Sequence, residues 1–300
     1  MGIANKIKDL AVFVDSLIED SLSASDVLPG TLSQASIYSL KLPGKRLRPA
    51  LSFLVSEMLE VSKQSLESFA VAIEHVHTAT LIHDDLPAMD NDSLRRGMPT
   101  CHIAYGEHTA ILAGDMLISR AFLLISKDER IKAHEKVFLI ELLSDAIVKV
   151  CYGQQLDLEA EKSAFSNITV TPEEAKKALE TRHRLKTGAL LQASVLAPLA
   201  FKSVSEQEKS ALYEFSDCLG LLYQVTDDVL DVTQDSKTLG KDAGSDARQG
   251  TPTYVSVYGL EQAKELSARY AKQAKDSLSP FCSRNEMLKD FIDFLLTRTH

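Results

Sequence analysis

The chain is missing the features that usually divide a protein of this length. Its 300 residues hold no Pro/Gly/Ser-rich tract, no low-complexity block and no run of like charges, so nothing marks a linker. One large domain over residues 1–300 is expected. An excess of positive charge is missing too: 33 Lys and Arg against 42 Asp and Glu leave a formal net charge of −9. That balance disfavours nucleic-acid binding, which draws on basic surface to neutralise phosphates. It leaves room for a small anion in a locally positive cleft. The four cysteines, Cys101, Cys151, Cys218 and Cys282, lie far apart and form no Cys-x-x-Cys pair, which speaks against a zinc or dithiol motif and leaves buried reduced thiols as the expectation. Long hydrophobic runs are scarce. The most apolar span, Ile111 to Ile125, carries Asp115 and Arg120 and is shorter than a membrane crossing requires. The first residues lead into an amphipathic stretch with Asp9, Asp15, Glu19 and Asp20 instead of an apolar leader. A cytoplasmic protein without stable membrane insertion fits these absences.

Alternating strand patterns and Asn-Gly hairpin signals are also lacking, whereas apolar residues recur at three- and four-residue steps almost throughout. Leu10, Phe13, Val14, Leu17 and Ile18 show the pattern, as do Phe138, Leu139, Leu142, Leu143, Ala146 and Ile147. An all-α protein follows. Thr171-Pro172-Glu173-Glu174 marks one helix start, with a hydroxyl at the N-cap, proline at the first helical position and a glutamate placed to complete a capping box. Gly188 marks a cheap place for that region to bend. Turns are expected at Leu28-Pro29-Gly30, Leu42-Pro43-Gly44 and Gly97 to Thr100, with longer loops from Ser163 to Val170 and from Gln234 to Pro252.

Two aspartate clusters, Asp84-Asp85-Leu-Pro-Ala-Met-Asp90 and Asp227-Asp228-Val-Leu-Asp231, each begin directly after a hydrophobic run. A carboxylate taken out of water is costly unless a counter-charge meets it, so a shared cationic partner is expected. Oxygen-only ligands suit Mg²⁺, which keeps waters and shares its shell with substrate phosphates, so a diphosphate ligand is implied. Asp227 and Asp231 are one turn apart on a helix face that also carries Gln224. Asp84 and Asp90 are about 120° out of line on a regular helix. Pro87 resolves this, because it removes a hydrogen bond, clashes with the carbonyl of His83, and lets the chain loop back. Isolated acidic pairs are commonly solvated helix ends. Here Leu81-Ile82 and Val229-Leu230 point to a buried setting instead.

Cations accompany the clusters. Lys45, Arg46 and Arg48 form a basic knot, Arg95 and Arg96 follow the first loop, and His77 lies two helical turns before Asp84. Guanidinium forks hold phosphate oxygens bidentately and lysine adds a point charge. An arginine pair alone is usually surface charge, and a lone histidine on an apolar helix is usually a satisfied core group; together, beside acidic clusters, they read as a second anion site. Lys186-Thr187-Gly188 and Lys237 to Asp242 supply further donors near the second cluster. Gln154 and Asp157 share a helix face and either look into the cleft or pair along the helix surface. Asp115 is expected to be a buried pairing partner without a catalytic role.

In combination these motifs resemble the trans-isoprenyl diphosphate synthases, most closely the bacterial farnesyl diphosphate synthase (geranyltranstransferase) branch, over nearly the whole chain. They stand as Gly44-Lys-Arg-Leu-Arg-Pro49, His83 to Gly97, Gly153-Gln154, Lys186-Thr-Gly188, Tyr223 to Asp231 and Gly240-Lys-Asp242. The resemblance implies one antiparallel helix bundle around a deep central cavity, forming a homodimer. It implies about three Mg²⁺ ions per active site, held by Asp84, Asp90 and Asp227 with Asp85, Asp228 and Asp231 in support. Arg95, Lys186, Thr187, Gln224 and Lys241 would hold the allylic diphosphate, and Lys45, Arg48, His77 and Arg96 would hold isopentenyl diphosphate. The implied reaction condenses isopentenyl diphosphate with dimethylallyl or geranyl diphosphate to give trans farnesyl diphosphate.

Departures from the family pattern leave other readings open. Five residues before Asp84, where bacterial farnesyl synthases usually carry an aromatic residue, stands Ala79. A small side chain there admits the geranylgeranyl product unless Met116 or Phe122 closes the tunnel. Pro43-Gly44 replaces the usual Gly-Gly pair. A terpene cyclase would not need the isopentenyl site. A non-catalytic regulatory partner of a synthase is expected to show decayed aspartates, whereas both clusters are complete.

Overall fold

Three- and four-residue apolar spacing builds helices, and helices dominate the computed structural model, which describes residues 2–23, 30–164, 171–234 and 251–298. The all-α expectation is borne out. The backbone forms two compact units: Met1–Leu143 with Ala197–Ser203, and Ser144–Leu196 with Val204–His300. Residues 24–29, 165–170 and 235–250 lie outside the described residues, and with them the expected turn at Leu28-Pro29-Gly30, most of the two expected longer loops and the stretch Lys237 to Asp242.

In the first unit, α1 (Ile3–Ser23), α2 (Thr31–Lys41), α3 (Leu47–Met58), α4 (Glu67–Asp84), α5 (Cys101–Tyr105) and α6 (Glu107–Lys127) follow in order, and α7 (Ala133–Ala164) begins. Helix α4 is buried on nearly every side, through Phe69, Ala70, Ala72, Ile73, Val76 and Ala79. Each large apolar side chain buried this way stabilises the fold by about 2 kcal/mol. Helix α6 packs along α4 and passes closest at Gly114, where a Cβ would come within 2.2 Å of the His83 ring. Phe13 of α1 and Phe53 of α3 meet with ring centroids 5.6 Å apart. The helical span of α6 is longer than the apolar run in the sequence. At 21 residues it is, among the described residues, the one helix whose length and composition would allow a membrane crossing. One face of it, through Ala110, Ala113, Leu117, Ala121 and Ile125, is nonetheless buried.

A small hairpin departs from the helical expectation. Leu94-Arg95 pairs antiparallel with Met98-Pro99, turned by Arg96 and Gly97 at φ 54° and 77°. Two successive positive φ angles suit a tight hairpin turn. An arginine in the position where asparagine is usual conceals the signal, and the turn lies at Arg96-Gly97 instead of over Gly97 to Thr100 as expected, because Met98-Pro99 pairs as a strand.

The second unit holds the rest of α7, then α8 (Pro172–His183), a π-helical turn (Arg184–Gly188), α9 (Ala189–Leu196), α10 (Glu206–Thr233), α11 (Tyr254–Tyr258), α12 (Leu260–Ser277) and α13 (Glu286–Thr297). The Thr171–Glu174 capping box is formed as expected, and Ser205 with Glu208 builds another at the head of α10. Glycines set the close crossings. A Cβ on Gly153 would lie 2.3 Å from the backbone nitrogen of Lys186, and one on Gly220 would lie 2.8 Å from the Cα of Gly188. Cys101 and Cys218 are buried free thiols as expected, whereas Cys151 and Cys282 are exposed.

Candidate active site

The first acidic cluster begins where α4 stops. Beyond Asp84 the chain turns through Pro87, and the amide of Asp90 donates to the carbonyl of Asp84 at 2.9 Å while Asn91 donates to Leu86 at 3.1 Å. The six-residue separation is closed by backbone hydrogen bonds, as Pro87 led one to expect. Asp84 and Asp90 are half-buried. Asp85, between them, is buried, and both its oxygens accept from Arg95 Nε at 2.7 and 2.9 Å. Burial opposes charge on both partners. For Arg95 the two-oxygen contact wins, and it is held more firmly protonated than a free arginine, whereas burial still leaves the Asp85 pKa above its usual value despite Arg95. The hairpin therefore exists to carry Arg95 back to the end of α4.

Next to it lies the basic group. Arg48 Nη1 is 3.2 Å from His77 Nε2. Arginine can only donate, so this nitrogen accepts and the ring proton sits on Nδ1. Burial, and then the charges of Arg48, Arg96, Arg95 and Arg46, depress the His77 pKa well below its usual value, which keeps the imidazole neutral. Arg96 donates to the Leu42 carbonyl at 3.2 Å and crosses Gly44 so closely that a Cβ there would meet its guanidinium at 2.5 Å. Lys45 is exposed. Arg46 belongs elsewhere. It enters the core in a left-handed conformation (φ 47°) and donates to Glu74 at 2.7 Å, Asp15 at 2.8 Å and the Leu40 carbonyl at 2.7 Å. Only part of the basic knot in the sequence is thus available to a ligand.

In the second unit α10 runs unbroken through Asp227, Asp228 and Asp231. Asp227 is half-exposed while Asp228 and Asp231 are buried. Gln224 donates to Asp228 Oδ1 at 2.8 Å and accepts from the Thr187 hydroxyl at 3.0 Å. The amide of Tyr254 donates to the other oxygen of Asp228 at 2.7 Å. Lys186 donates to Asp157, which also pairs with Arg182 at 3.2 Å. The π-helical turn thus presents Lys186 and Thr187 on adjacent partners, and such turns often mark functional sites. Gln154 is buried with both amide atoms lacking a hydrogen-bond partner.

Hard carboxylate oxygens without sulfur or imidazole among the clusters suit Mg²⁺. Among the described residues no three His, Cys, Asp or Glu side chains form a ready-made cage.

A family model described as polyprenyl synthetase matches residues 29–280. The chain belongs to that family. It is a short-chain trans-prenyltransferase. Among similar proteins, the farnesyl diphosphate synthase of Escherichia coli K12 is 39% identical over 269 residues, 87% of each chain. The chloroplastic geranylgeranyl pyrophosphate synthase of Capsicum annuum is 36% identical over 281 residues, 93% of this chain and 73% of the other. A solved geranyltransferase from Legionella pneumophila superposes with a TM-score of 0.86 at 32% identity, covering 99% of this chain and 97% of its own.

Within this prenyltransferase the expected site residues separate into those partly open to solvent, such as Asp84, Asp90 and Asp227, and those already buried and bonded within the protein. Asp85 and Asp228 are buried and already bonded within the protein, to Arg95 and to Gln224 and Tyr254. Asp115 is not the buried partner the sequence suggested: its side chain is 62% exposed, 3.7 Å from His83. A helix face that is apolar on one side only leaves it in solvent. Lys241 lies outside the described residues. Glu74, Tyr254 and Arg298 were not singled out from sequence. A lone acid inside the apolar α4 run was a usable signal for Glu74; nothing local marks Arg298.

Proposed function

We propose that the protein makes trans farnesyl diphosphate from isopentenyl diphosphate and dimethylallyl or geranyl diphosphate. The observation that carries this reading is the pairing, inside one unit, of the Asp84–Asp90 loop with a neutral-histidine and arginine group. Arg95 belongs to both, since it is bonded to Asp85 at the head of the loop and lines one small pocket with Arg96. Two anion sites of different chemistry suit two diphosphate substrates.

In this reading Asp84, Asp90 and Asp227 hold Mg²⁺, about three ions per site, while Asp85, Asp228 and Asp231 orient the neighbouring groups. When bound, Mg²⁺ would neutralise the charge that gathers on diphosphate as the allylic C–O bond breaks. Arg95, Lys186, Thr187, Gln224 and Lys241 bind the allylic diphosphate and stabilise the same developing charge. Lys45, Arg48, His77 and Arg96 fix isopentenyl diphosphate so that its double bond faces the allylic carbon. The carbon–oxygen pair leaves with diphosphate, the double bond supplies the new carbon–carbon bond, and the departing diphosphate takes the proton that restores an alkene. Apolar walls keep water from the cation. A single synthase domain, a cytoplasmic location without membrane insertion and a homodimer belong to the same reading.

Ala79, fully buried on α4, favours a second reading in which the product is geranylgeranyl diphosphate. Incubating the purified protein with Mg²⁺, isopentenyl diphosphate and each of dimethylallyl, geranyl and farnesyl diphosphate, then sizing the products, separates them. A C15 product supports the proposal and a C20 product the second reading. No condensation with any starter overturns both.

A further inference from the structure

Helix α13 buries Leu288, Phe291, Ile292 and Leu295 and so fixes the residue that caps it, Arg298. The Arg298 side chain is only 4% exposed, whereas the carboxylate it meets, Asp227, is 40% exposed. Nη2 donates to Asp227 Oδ1 and to the Tyr223 carbonyl at 3.0 Å, and the guanidinium lies 4.2 Å from the centre of the Tyr223 ring. A carboxylate, a carbonyl and a π-face together define one orientation for the planar group.

Resting on the metal reading above, we propose that Arg298 is a positioning residue for metal capture: from the buried side it holds one oxygen of Asp227 and sets the carboxylate for an incoming divalent ion. The asymmetry of exposure decides between positioning and competition. A cation placed to compete with the metal would itself be open to solvent, whereas Arg298 is buried and its hydrogen bond goes to Oδ1 of a carboxylate that is 40% exposed. Partners of this kind behind a ligand typically change metal affinity by about 10- to 100-fold when removed.

The test titrates Mn²⁺ in the presence of inorganic diphosphate and follows free Mn²⁺ by electron paramagnetic resonance, for the wild-type protein and for Arg298→Gln, Arg298→Lys and Asp227→Asn. Arg298→Gln is expected to weaken Mn²⁺ binding about 10-fold. The Mg²⁺ concentration giving half-maximal rate should rise in parallel, and turnover should recover when Mg²⁺ is saturating. Arg298→Lys, which keeps the charge but not the fork, should fall between, and it carries the test if the glutamine variant does not fold. Unchanged or tighter Mn²⁺ binding in Arg298→Gln overturns the positioning role. Wild-type protein that binds no Mn²⁺, or Asp227→Asn that binds it normally, overturns the metal reading itself and the inference with it.

Discussion

A guanidinium with 3% of its side chain exposed must find its counter-charges inside the protein, and Arg46 finds Glu74, itself 2% exposed, and the half-exposed Asp15. Removing one partner of such a pair leaves a buried charge uncompensated. Glu74→Ala should therefore destabilise the fold by about 3 kcal/mol in urea unfolding, and a loss below about 1 kcal/mol would show that Asp15 and the Leu40 carbonyl suffice without it. The contrast with Arg48 shows what can be read along the chain and what cannot. Lys45, Arg46 and Arg48 look alike in sequence, yet Arg46 turns inward because Glu74, 28 residues on, is packed beneath it. Which of three neighbouring cations faces a ligand is decided by a partner that only the fold brings near. Asp84 and Asp90 were legible because Pro87 leaves the backbone few ways to continue.

Helix starts were equally legible, since a capping box is a local exchange of hydrogen bonds between residues three apart, as at Thr171 and Glu174. The π-helical turn was not. It depends on how closely α7 and α10 approach it, through Gly153 and Gly220, and both lie far away in sequence. Gly153→Ala would drive a methyl group to 2.3 Å from the Lys186 nitrogen, an overlap with backbone that no side-chain rotation relieves. A loss of about 2 kcal/mol in thermal unfolding is expected, with a raised KM for the allylic substrate as Lys186 and Thr187 shift. An unchanged melting temperature would mean that the crossing is looser than the geometry indicates. The hairpin belongs to the same class of hidden element, because Arg96 holds positive φ through its contact with the Leu42 carbonyl.

At the scale of the whole molecule, exposed apolar side chains gather on two long helices: Ile111, Leu112 and Leu123 on α6, and Val137, Phe138, Val148 and Tyr152 on α7. Exposed apolar area of this kind is costly in water and is commonly covered by a partner. With self-association, a Leu112→Glu, Leu123→Glu double variant should shift the sedimenting mass from twice that of the chain towards that of one chain; an unaltered mass would place the contact elsewhere. A net charge of −9 also shapes what reaches the site, since the protein as a whole turns anions away and only local groups admit them. On the proposed reading Arg95 would add selectivity to that entry. Because it already rests on Asp85, an anion must offer more than one weak oxygen contact to draw it off. On the proposed reading a diphosphate, which carries more charge over two phosphoryl groups, would compete with the Asp85 carboxylate for Arg95 better than orthophosphate or sulfate would. On that reading Asp85 would set a threshold against weakly charged salts, without any side chain that bars their way.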